Sequence, residues 1–246
     1  MPDVATAHPS ATVVLTRDGK GGLEVLLVQR NAALAFHGGA WVFPGGRVDP
    51  ADRRPGDDEV AAARRAAARE AHEEVALTVD PDALVPLARW TTPEISPKRF
   101  ATWFFAGSAA PGEVVVDGGE IHDHRWLPPA VALAARDRGE LELPPPTYVT
   151  LLGMTPHCHT AGLLAALADR APEDFSPRIA SVPGGGICLY HGDAAYEGGD
   201  PERPGPRHRL WMLEDGWCYE RGSVPVRRRS SGGASSGAPA EPDAPR

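Results

Sequence analysis

The stretch Ala67–Leu77, AAREAHEEVAL, decides how the rest of this sequence is interpreted. It ends a longer run, EVAAARRAAAREAHEEVAL, that is rich in alanine, arginine and glutamate, all strong helix formers. Ala67, Ala71 and Val75 recur at i+4 intervals and would form one apolar stripe along a helix. The sequence therefore predicts an amphipathic helix, which packs on its alanine face.

Three glutamates occupy a different arc of this helix. Glu70, Glu73 and Glu74 stand at positions i, i+3 and i+4, where like charges on a solvated helix repel one another. Water, a basic partner or a metal ion can offset this repulsion. From the glutamates alone a solvated, charged helix face is favoured, and a metal site is the alternative.

The segments around the helix indicate an α/β domain. A short apolar run, Trp41–Phe43, stops at Pro44-Gly45-Gly46, and the polar stretch from Pro50 to Asp58 is typical of a loop. Asp57 or Asp58 can cap the helix that follows. Runs rich in β-formers predict strands, and two later alanine- or leucine-rich runs predict helices. The strands are Ala11–Thr16, Leu23–Gln29, Leu84–Trp90, Phe100–Phe105 and His124–Trp126, and the helices are Ala130–Ala135 and Leu163–Leu167.

Composition narrows the function classes. The chain has 246 residues and a formal net charge of −8, which disfavours a nucleic-acid-binding role driven by phosphate contacts. No apolar run approaches the roughly 20 residues that span a bilayer, so no membrane partner is expected. Three scattered cysteines do not form a disulfide framework. We expect a soluble, cytoplasmic protein.

The FPGG of Phe43–Gly46 followed by the REAHEEVAL of Arg69–Leu77 resembles the Nudix box, G-x5-E-x7-R-E-U-x-E-E-x-G-U, where U is aliphatic. Between Gly46 and Arg69 this chain has nine residues more than the box. Position 61, where the first box glutamate would fall, is Ala61, and Ala76 replaces the closing glycine. An insertion at this place is similar to that of the branch containing coenzyme A diphosphatases and the RP2-like proteins.

The resemblance implies a Nudix-type α/β/α sandwich with a mixed sheet. It also implies hydrolysis of a nucleoside diphosphate linked to another group, with Mg²⁺ or Mn²⁺ as cofactor. The metal would be held by Glu70, Glu73, Glu74 and the carbonyl of Gly46. Glu73 and Arg69 would also serve the chemistry, Arg69 by orienting a glutamate.

A further carboxylate is expected from a loop beyond the box, as base or ligand. Glu120, shortly before a Trp-hydrophobe-Pro run, is the first candidate, and Asp123 is the second. His122 and His124 are general bases available near neutral pH, although histidines beside an acidic loop are more often bystanders.

For the substrate, Arg30 and Arg99 are candidates for phosphate contacts, and Phe43 is a candidate for stacking on a base. Lys98, Trp41 and Trp103 are secondary candidates for the same roles. Coenzyme A derivatives, dinucleotides such as NADH, and nucleotide sugars all remain open as substrates. His157-Cys158-His159 lacks a partner pair at zinc-finger spacing, so we discount a zinc site there.

The predicted organisation is a Nudix domain at 1–171, a β-rich extension at 172–226 and a disordered tail at 227–246. The extension contains GICLYHGD and a hairpin whose turn is Glu214-Asp215-Gly216. The tail carries the basic run Arg227–Arg229 and cannot bury apolar surface. Two alternatives remain: a Nudix-fold module that binds a nucleotide without hydrolysing it, and a hydrolase that forms a homodimer through its C-terminal strands.

Overall fold

The computed structural model describes residues 4–33, 38–222 and 224–225. The predicted disordered tail at 227–246, with Arg227–Arg229, lies outside these residues. Among the helices that are described, none combines the length and the apolarity that a membrane crossing requires.

A mixed sheet of eight strands forms the centre of the molecule. Its main path runs β3-β2-β1-β6-β5-β8, with β4 paired to β1 and β7 paired to β2. The pairs β1–β6 and β5–β8 are parallel, and the others are antiparallel. The strands are β1 Ala7–Gly19, β2 Gly22–Arg30, β3 Trp41–Val42, β4 Gly45–Arg47, β5 Val85–Thr91, β6 Arg99–Ser108, β7 Ile121–Leu127 and β8 Glu173–Phe175.

A second, antiparallel sheet follows in the C-terminal part. It has the order β13-β12-β11-β10-β9. The predicted hairpin turn joins β11 to β12, which confirms that part of the sequence analysis. The strands are β9 Arg178–Val182, β10 Gly185–Leu189, β11 Arg207–Leu213, β12 Gly216–Gly222 and β13 Val224–Pro225.

In the described part of the chain, four α-helices cover the first sheet. The three predicted helices are confirmed, whereas α3 was not predicted. That helix starts at a proline triplet, where Pro at the first helical position costs no hydrogen bond. The helices are α1 Glu59–Val75, α2 Pro129–Asp137, α3 Pro145–Met154 and α4 Thr160–Ala168.

The predicted α/β/α sandwich is confirmed by the two faces of the central sheet. Alternate residues of β1 point to opposite sides, as a strand requires. Val13 and Leu15 pack with the alanine face of α1, while Val14 packs on the other side with α2, α3 and α4. Alanine side chains let α1 approach the sheet closely.

The region after residue 172 shares the core on the side away from α1. Phe175 of β8 stacks on Trp90 of β5 with ring centroids 3.9 Å apart. Tyr190, Leu210 and Tyr219 of the second sheet belong to the same buried cluster. This region thus both extends the central sheet and builds a second one against it.

Helix α1 begins and ends with defined caps. The side chain of Asp58, one of the two predicted caps, accepts a hydrogen bond from the backbone N–H of Ala61 at 2.7 Å. At the other end Ala76 has φ of 57° and ψ of 20°, the left-handed conformation. This is the position where the box has glycine, and glycine is favoured there because a Cβ is strained in that conformation.

Replacing this strained alanine should stabilise the protein. We expect Ala76→Gly to raise the free energy of unfolding by about 0.5–1 kcal/mol, because the left-handed strain is removed at an exposed site. Urea unfolding followed by circular dichroism measures the change. Ala165→Gly, at an exposed position inside α4, should instead lower stability through the poor helix propensity of glycine. If both variants changed the free energy of unfolding in the same direction, the result would contradict backbone strain at Ala76.

Candidate functional site

Helix α1 presents its glutamates toward strand β4. Glu74 is buried, with 6% exposure, and its Oε2 accepts a hydrogen bond from the backbone N–H of Gly45 at 2.9 Å. Glu70 is partly buried and Glu73 is exposed on the same side of the helix. The structure therefore brings together the three predicted glutamates and the predicted glycines.

The two glycines allow β4 to approach both β1 and α1 closely. A Cβ on Gly46 would collide with the carboxylate of Glu70, and a Cβ on Gly45 would collide with the backbone of Ala11 on β1. Without side chains, β4 can pair with β1 while leaving room for a carboxylate above it. This close approach explains why two glycines precede the helix in the sequence.

Arg69 lies at the centre of the carboxylate cluster. Its Nη1 donates to Glu70 Oε1 at 2.9 Å and to Glu73 Oε2 at 2.8 Å. Its Nη2 donates to the carbonyl oxygen of Arg47 on β4 at 2.9 Å. One guanidinium thus fixes two of the glutamates relative to the glycine strand.

Asp52 supplies the opposite side of this guanidinium. Its two oxygens accept from Arg69 Nε at 3.2 Å and from Arg69 Nη2 at 3.1 Å, a bidentate pair. Asp52 is only 5% exposed, and its carboxylate also accepts from the N–H of Asp49 at 2.8 Å. Asp49 itself remains 3.9 Å from Arg69 and largely exposed.

Asp52 was not among the site residues predicted from the sequence. The only related observation was that Ala61 occupies the place of a box glutamate. Asp52 belongs to the segment that contains the extra residues, and it places a carboxylate on Arg69 from a short 3-10 helix instead of from α1. The absence of the box glutamate at position 61 was the one indication that another carboxylate is needed. Several aspartates in the segment were equally suitable to replace it.

Burial changes the ionisation of the cluster. Loss of solvation raises the pKa of Glu74 from 4.5 to about 8, against the hydrogen bond from Gly45 and the charge of Arg30, which lower it. Burial also raises the pKa of Glu70, partly offset by Arg69. The carboxylate partners Asp52 and Glu70 raise the pKa of Arg69, despite its own burial. The cluster thus holds more acidic groups than its arginines neutralise.

Glu120 lies close to this cluster. The loop before it is tied to the end of α1, since the N–H of Asp117 donates to the carbonyl of Glu74 at 3.2 Å. The charge of Glu120 contributes to the raised pKa of both Glu70 and Glu74. Glu120 is 63% exposed, and its carboxylate is 3.8 Å from Arg30.

Arg30 also belongs to this site. Its side chain is 19% exposed, and its Nε is buried with no hydrogen-bond partner among the residues that the structure describes. An unpaired buried donor beside a carboxylate cluster is available to an anionic ligand.

The other predicted substrate residues lie elsewhere. Phe43 is 3% exposed in the core, edge-on to Phe104, so it has no open face for stacking. Arg99 donates to the carbonyls of Thr92 at 3.1 Å and Ala5 at 2.8 Å, so it ties the start of β6 to the start of the chain. The structure does not bring either residue to the glutamates.

The secondary candidates also have structural contacts. Trp41 is buried beneath the guanidinium of Arg125, and Trp103 stacks against Phe105 on the α1 side of the sheet. Lys98 lies 5.3 Å from the ring of Phe100. The remaining candidates, His122, Asp123 and His124, are on β7, and no contact to the glutamates is recorded for them within the described residues.

The donor set suits a hard divalent cation. Glu70 and Glu74 offer carboxylate oxygens beside a backbone that a Cβ would block, and Mg²⁺ and Mn²⁺ favour oxygen ligands. Within the described part of the chain, no three His, Cys, Asp or Glu side chains are already arranged around a metal position. Glu70 and Glu73 both accept hydrogen bonds from Arg69 Nη1.

Comparison with known proteins identifies the family. The NUDIX domain model matches residues 6–146, more than half of the chain. The chain therefore belongs to the NUDIX family and is a hydrolase that acts on phosphorus-containing anhydrides. No match is found among curated proteins.

A solved structure shows the same fold. The crystal structure of a NUDIX hydrolase from Alicyclobacillus acidocaldarius matches with a TM-score of 0.61 at 24% identity, over 69% of this chain and 100% of that chain. The NUDIX domain of Shewanella oneidensis NrtR, complexed with ADP ribose, gives 0.42 at 21% identity over 53% and 78%. A C. elegans Ap4A hydrolase complex gives 0.39 at 24% identity over 64% and 98%. The last two scores are too low to bear on substrate.

The burial of Glu74 predicts a pH-dependent stability in protein stripped of metals with EDTA. The folded state keeps the Glu74 proton up to about pH 8, whereas the unfolded chain releases it near pH 4.5. The folded state thus binds more protons in this window, and this group's contribution to the free energy of unfolding falls as pH rises. Glu74→Gln should remove this decrease with pH. The free energy of unfolding of the variant, relative to wild type, should therefore increase between about pH 5 and pH 8.

Urea unfolding across this pH range measures the effect. Since each pKa unit corresponds to about 1.4 kcal/mol, the difference should reach a few kcal/mol. Glu113→Gln, at an exposed glutamate outside the cluster, is the control and should leave the pH profile unchanged. A Glu74→Gln profile parallel to wild type would show that Glu74 is not buried as described.

Proposed function

We propose that this protein is a Mg²⁺- or Mn²⁺-dependent pyrophosphohydrolase that cleaves the diphosphate linkage of a nucleoside diphosphate derivative. The observation that carries the proposal is the packing of Glu70 and Glu74 against the Gly45-Gly46 backbone. Buried carboxylates side by side are costly unless a cation neutralises them. A diphosphate also needs its negative charge neutralised. One cation can therefore neutralise both the glutamates and the diphosphate.

Glu70, Glu73, Glu74 and the Gly46 carbonyl would hold the cation. When bound, such a cation neutralises phosphate oxygens and lowers the pKa of a coordinated water. Arg69 orients Glu70 and Glu73, and Asp52 orients Arg69 from behind. This arrangement places rigid oxygen ligands on one helix, which reduces the rearrangement required at each turnover.

Glu120 is the proposed general base. Its carboxylate is exposed, is carried by a loop anchored to the end of α1 and lies near enough to raise the pKa of Glu70 and Glu74. It can therefore accept a proton from water at the cluster. Arg30, with its unpaired buried Nε, is the proposed contact for the phosphate that leaves or remains.

The proposed substrates are diphosphates whose second group varies. Coenzyme A derivatives are the first to test, since the insertion before α1 resembles that branch of the family. NADH and nucleotide sugars are tested beside them. None of the three cysteines forms a disulfide, which supports a reducing compartment, and we propose the cytoplasm.

Turnover should depend on the buried glutamate. Purified protein is incubated with coenzyme A, NADH, ADP-ribose and nucleoside triphosphates in Mg²⁺ and in Mn²⁺, and products are separated by ion-exchange chromatography. We expect Glu74→Gln to lower kcat/KM by at least about a hundredfold, because a metal ligand is lost while the Gly45 hydrogen bond is kept. Binding of a nucleotide without turnover by wild type would instead support the non-hydrolysing module.

The bidentate pair between Asp52 and Arg69 should affect how much metal the enzyme needs for activity. We expect Asp52→Asn to raise the Mn²⁺ concentration for half-maximal activity by roughly 10-fold, since an orienting partner of the ligands is weakened. Asp49→Asn changes the exposed aspartate that lies 3.9 Å from the same Nη2 of Arg69, and it should shift this concentration less than about twofold. Equal Mn²⁺ dependence in both variants would exclude a positioning role for Asp52.

A further inference from the structure

A cavity of about 270 Å³ lies far from the glutamates. It is enclosed by β5 and β8 of the central sheet, by α3 and α4, and by β12 of the second sheet. These elements cover the face opposite α1, and β8 is at the opposite end of the strand order from β7. Its apolar wall includes Leu87, Val149, Met154, Leu163 and Phe175.

Two buried polar groups on this wall have no protein partner. Trp90 is 4% exposed and Thr150 is 5% exposed, and both line the cavity. The indole Nε1 of Trp90 and the hydroxyl Oγ1 of Thr150 make no hydrogen bond within the described residues. Buried polar atoms are rarely left unpaired, because their desolvation is then uncompensated. An indole N–H can only donate, so its missing partner is an acceptor.

The charged groups at the cavity leave an excess of positive charge. Arg221 is paired, since it donates to Glu173 from both terminal nitrogens at 2.8 Å. Arg170 also lines the cavity, and no ion pair or side-chain hydrogen bond is recorded for it among the described residues. Its exposed guanidinium is available to a carboxylate, sulfonate or phosphate.

We propose that this cavity binds a small aromatic anion. The apolar and aromatic walls suit an aromatic group of one or two fused rings, which the cavity volume can accommodate. An acceptor on the ligand pairs with Trp90 Nε1, and its anionic group lies toward Arg170. This second site is independent of the proposed hydrolysis, because it uses the other face of the sheet.

The alternative is a packing gap without a ligand role. The two interpretations differ in selectivity, since a gap has no preference for an acceptor or for negative charge. Three variants separate these features: one that fills the space, one that removes the donor and one that removes the cation.

The probe is 6-hydroxy-2-naphthoate, a two-ring anion whose hydroxyl oxygen is an acceptor separate from its carboxylate, titrated by calorimetry into the full chain in EDTA. We expect saturable binding of one molecule per chain. Gly153→Leu should weaken it by at least about tenfold, because Gly153 lines the cavity and has open space where a side chain would lie. Gly162→Leu, at an equally open glycine of α4 that does not line the cavity, is the matched control and should bind as wild type does.

Trp90→Phe keeps a ring but removes the N–H, and should weaken binding by roughly 3- to 10-fold. Arg170→Gln, at an exposed site that does not affect folding, should weaken it similarly. Glu74→Gln should bind as wild type, which separates this site from the glutamate cluster. Thermal melting confirms that Gly153→Leu is folded, since leucine has a better helix propensity than glycine.

Loss of affinity in Gly153→Leu and Arg170→Gln, with Gly162→Leu and Glu74→Gln unchanged, supports the proposal. Equal affinity in wild type and Gly153→Leu overturns it, since the probe then binds elsewhere. Weakening by Gly153→Leu with no effect of Arg170→Gln and Trp90→Phe also overturns it, because the cavity then admits apolar molecules without selecting an anion.

Discussion

The contacts of one guanidinium determine the geometry of the carboxylate cluster. Arg69 joins α1 to β4 through the carbonyl of Arg47, and joins both to the inserted segment through Asp52. It simultaneously restrains Glu70 and Glu73. Because its five donors are fixed in one plane, a change at any of these partners alters the position of the others. The repulsion among the glutamates is thus offset in two ways: Arg69 neutralises the outer pair, and burial favours the protonated form of Glu74.

The local part of this site could be predicted from the sequence. Helix periodicity located Glu70, Glu73 and Glu74, and the need for close backbone approach gave a reason for Gly45-Gly46. The prediction of the glutamates and that of the glycine pair each depend on neighbours within a few residues or on a short motif. Asp52 could not be found in this way, because its partner Arg69 is distant along the chain and nearby aspartates have the same chemistry. Only the course of the backbone between β4 and α1 distinguishes the buried aspartate from the exposed ones.

The substrate residues show the same limit at longer range. Arg99 has the charge of a phosphate contact, but the parallel pairing of β6 with β1 turns its guanidinium toward the backbone carbonyl of Ala5. Phe43 is next to the glycine pair in sequence, yet its ring enters the core on the face away from α1. Arg30, in contrast, ends β2 beside the loop of Glu120, so its proximity to the site follows from the pairing of β2 with β7. The type of residue was informative, and the sheet register decided its role.

The two faces of the central sheet have different physical requirements. The α1 face is packed mainly with alanine, leucine and valine and leaves its polar groups at one rim, where the glutamates meet the glycine strand. The other face is covered by three short helices and the second sheet, and a cavity remains between β5, β8 and β12. Fixing β8 beside β5 places Phe175 against the ring face of Trp90, whose indole N–H is buried without a partner among the described residues. The contact that joins the C-terminal region to the sheet therefore lies beside an unpaired buried donor, and such a donor lowers stability unless an acceptor meets it.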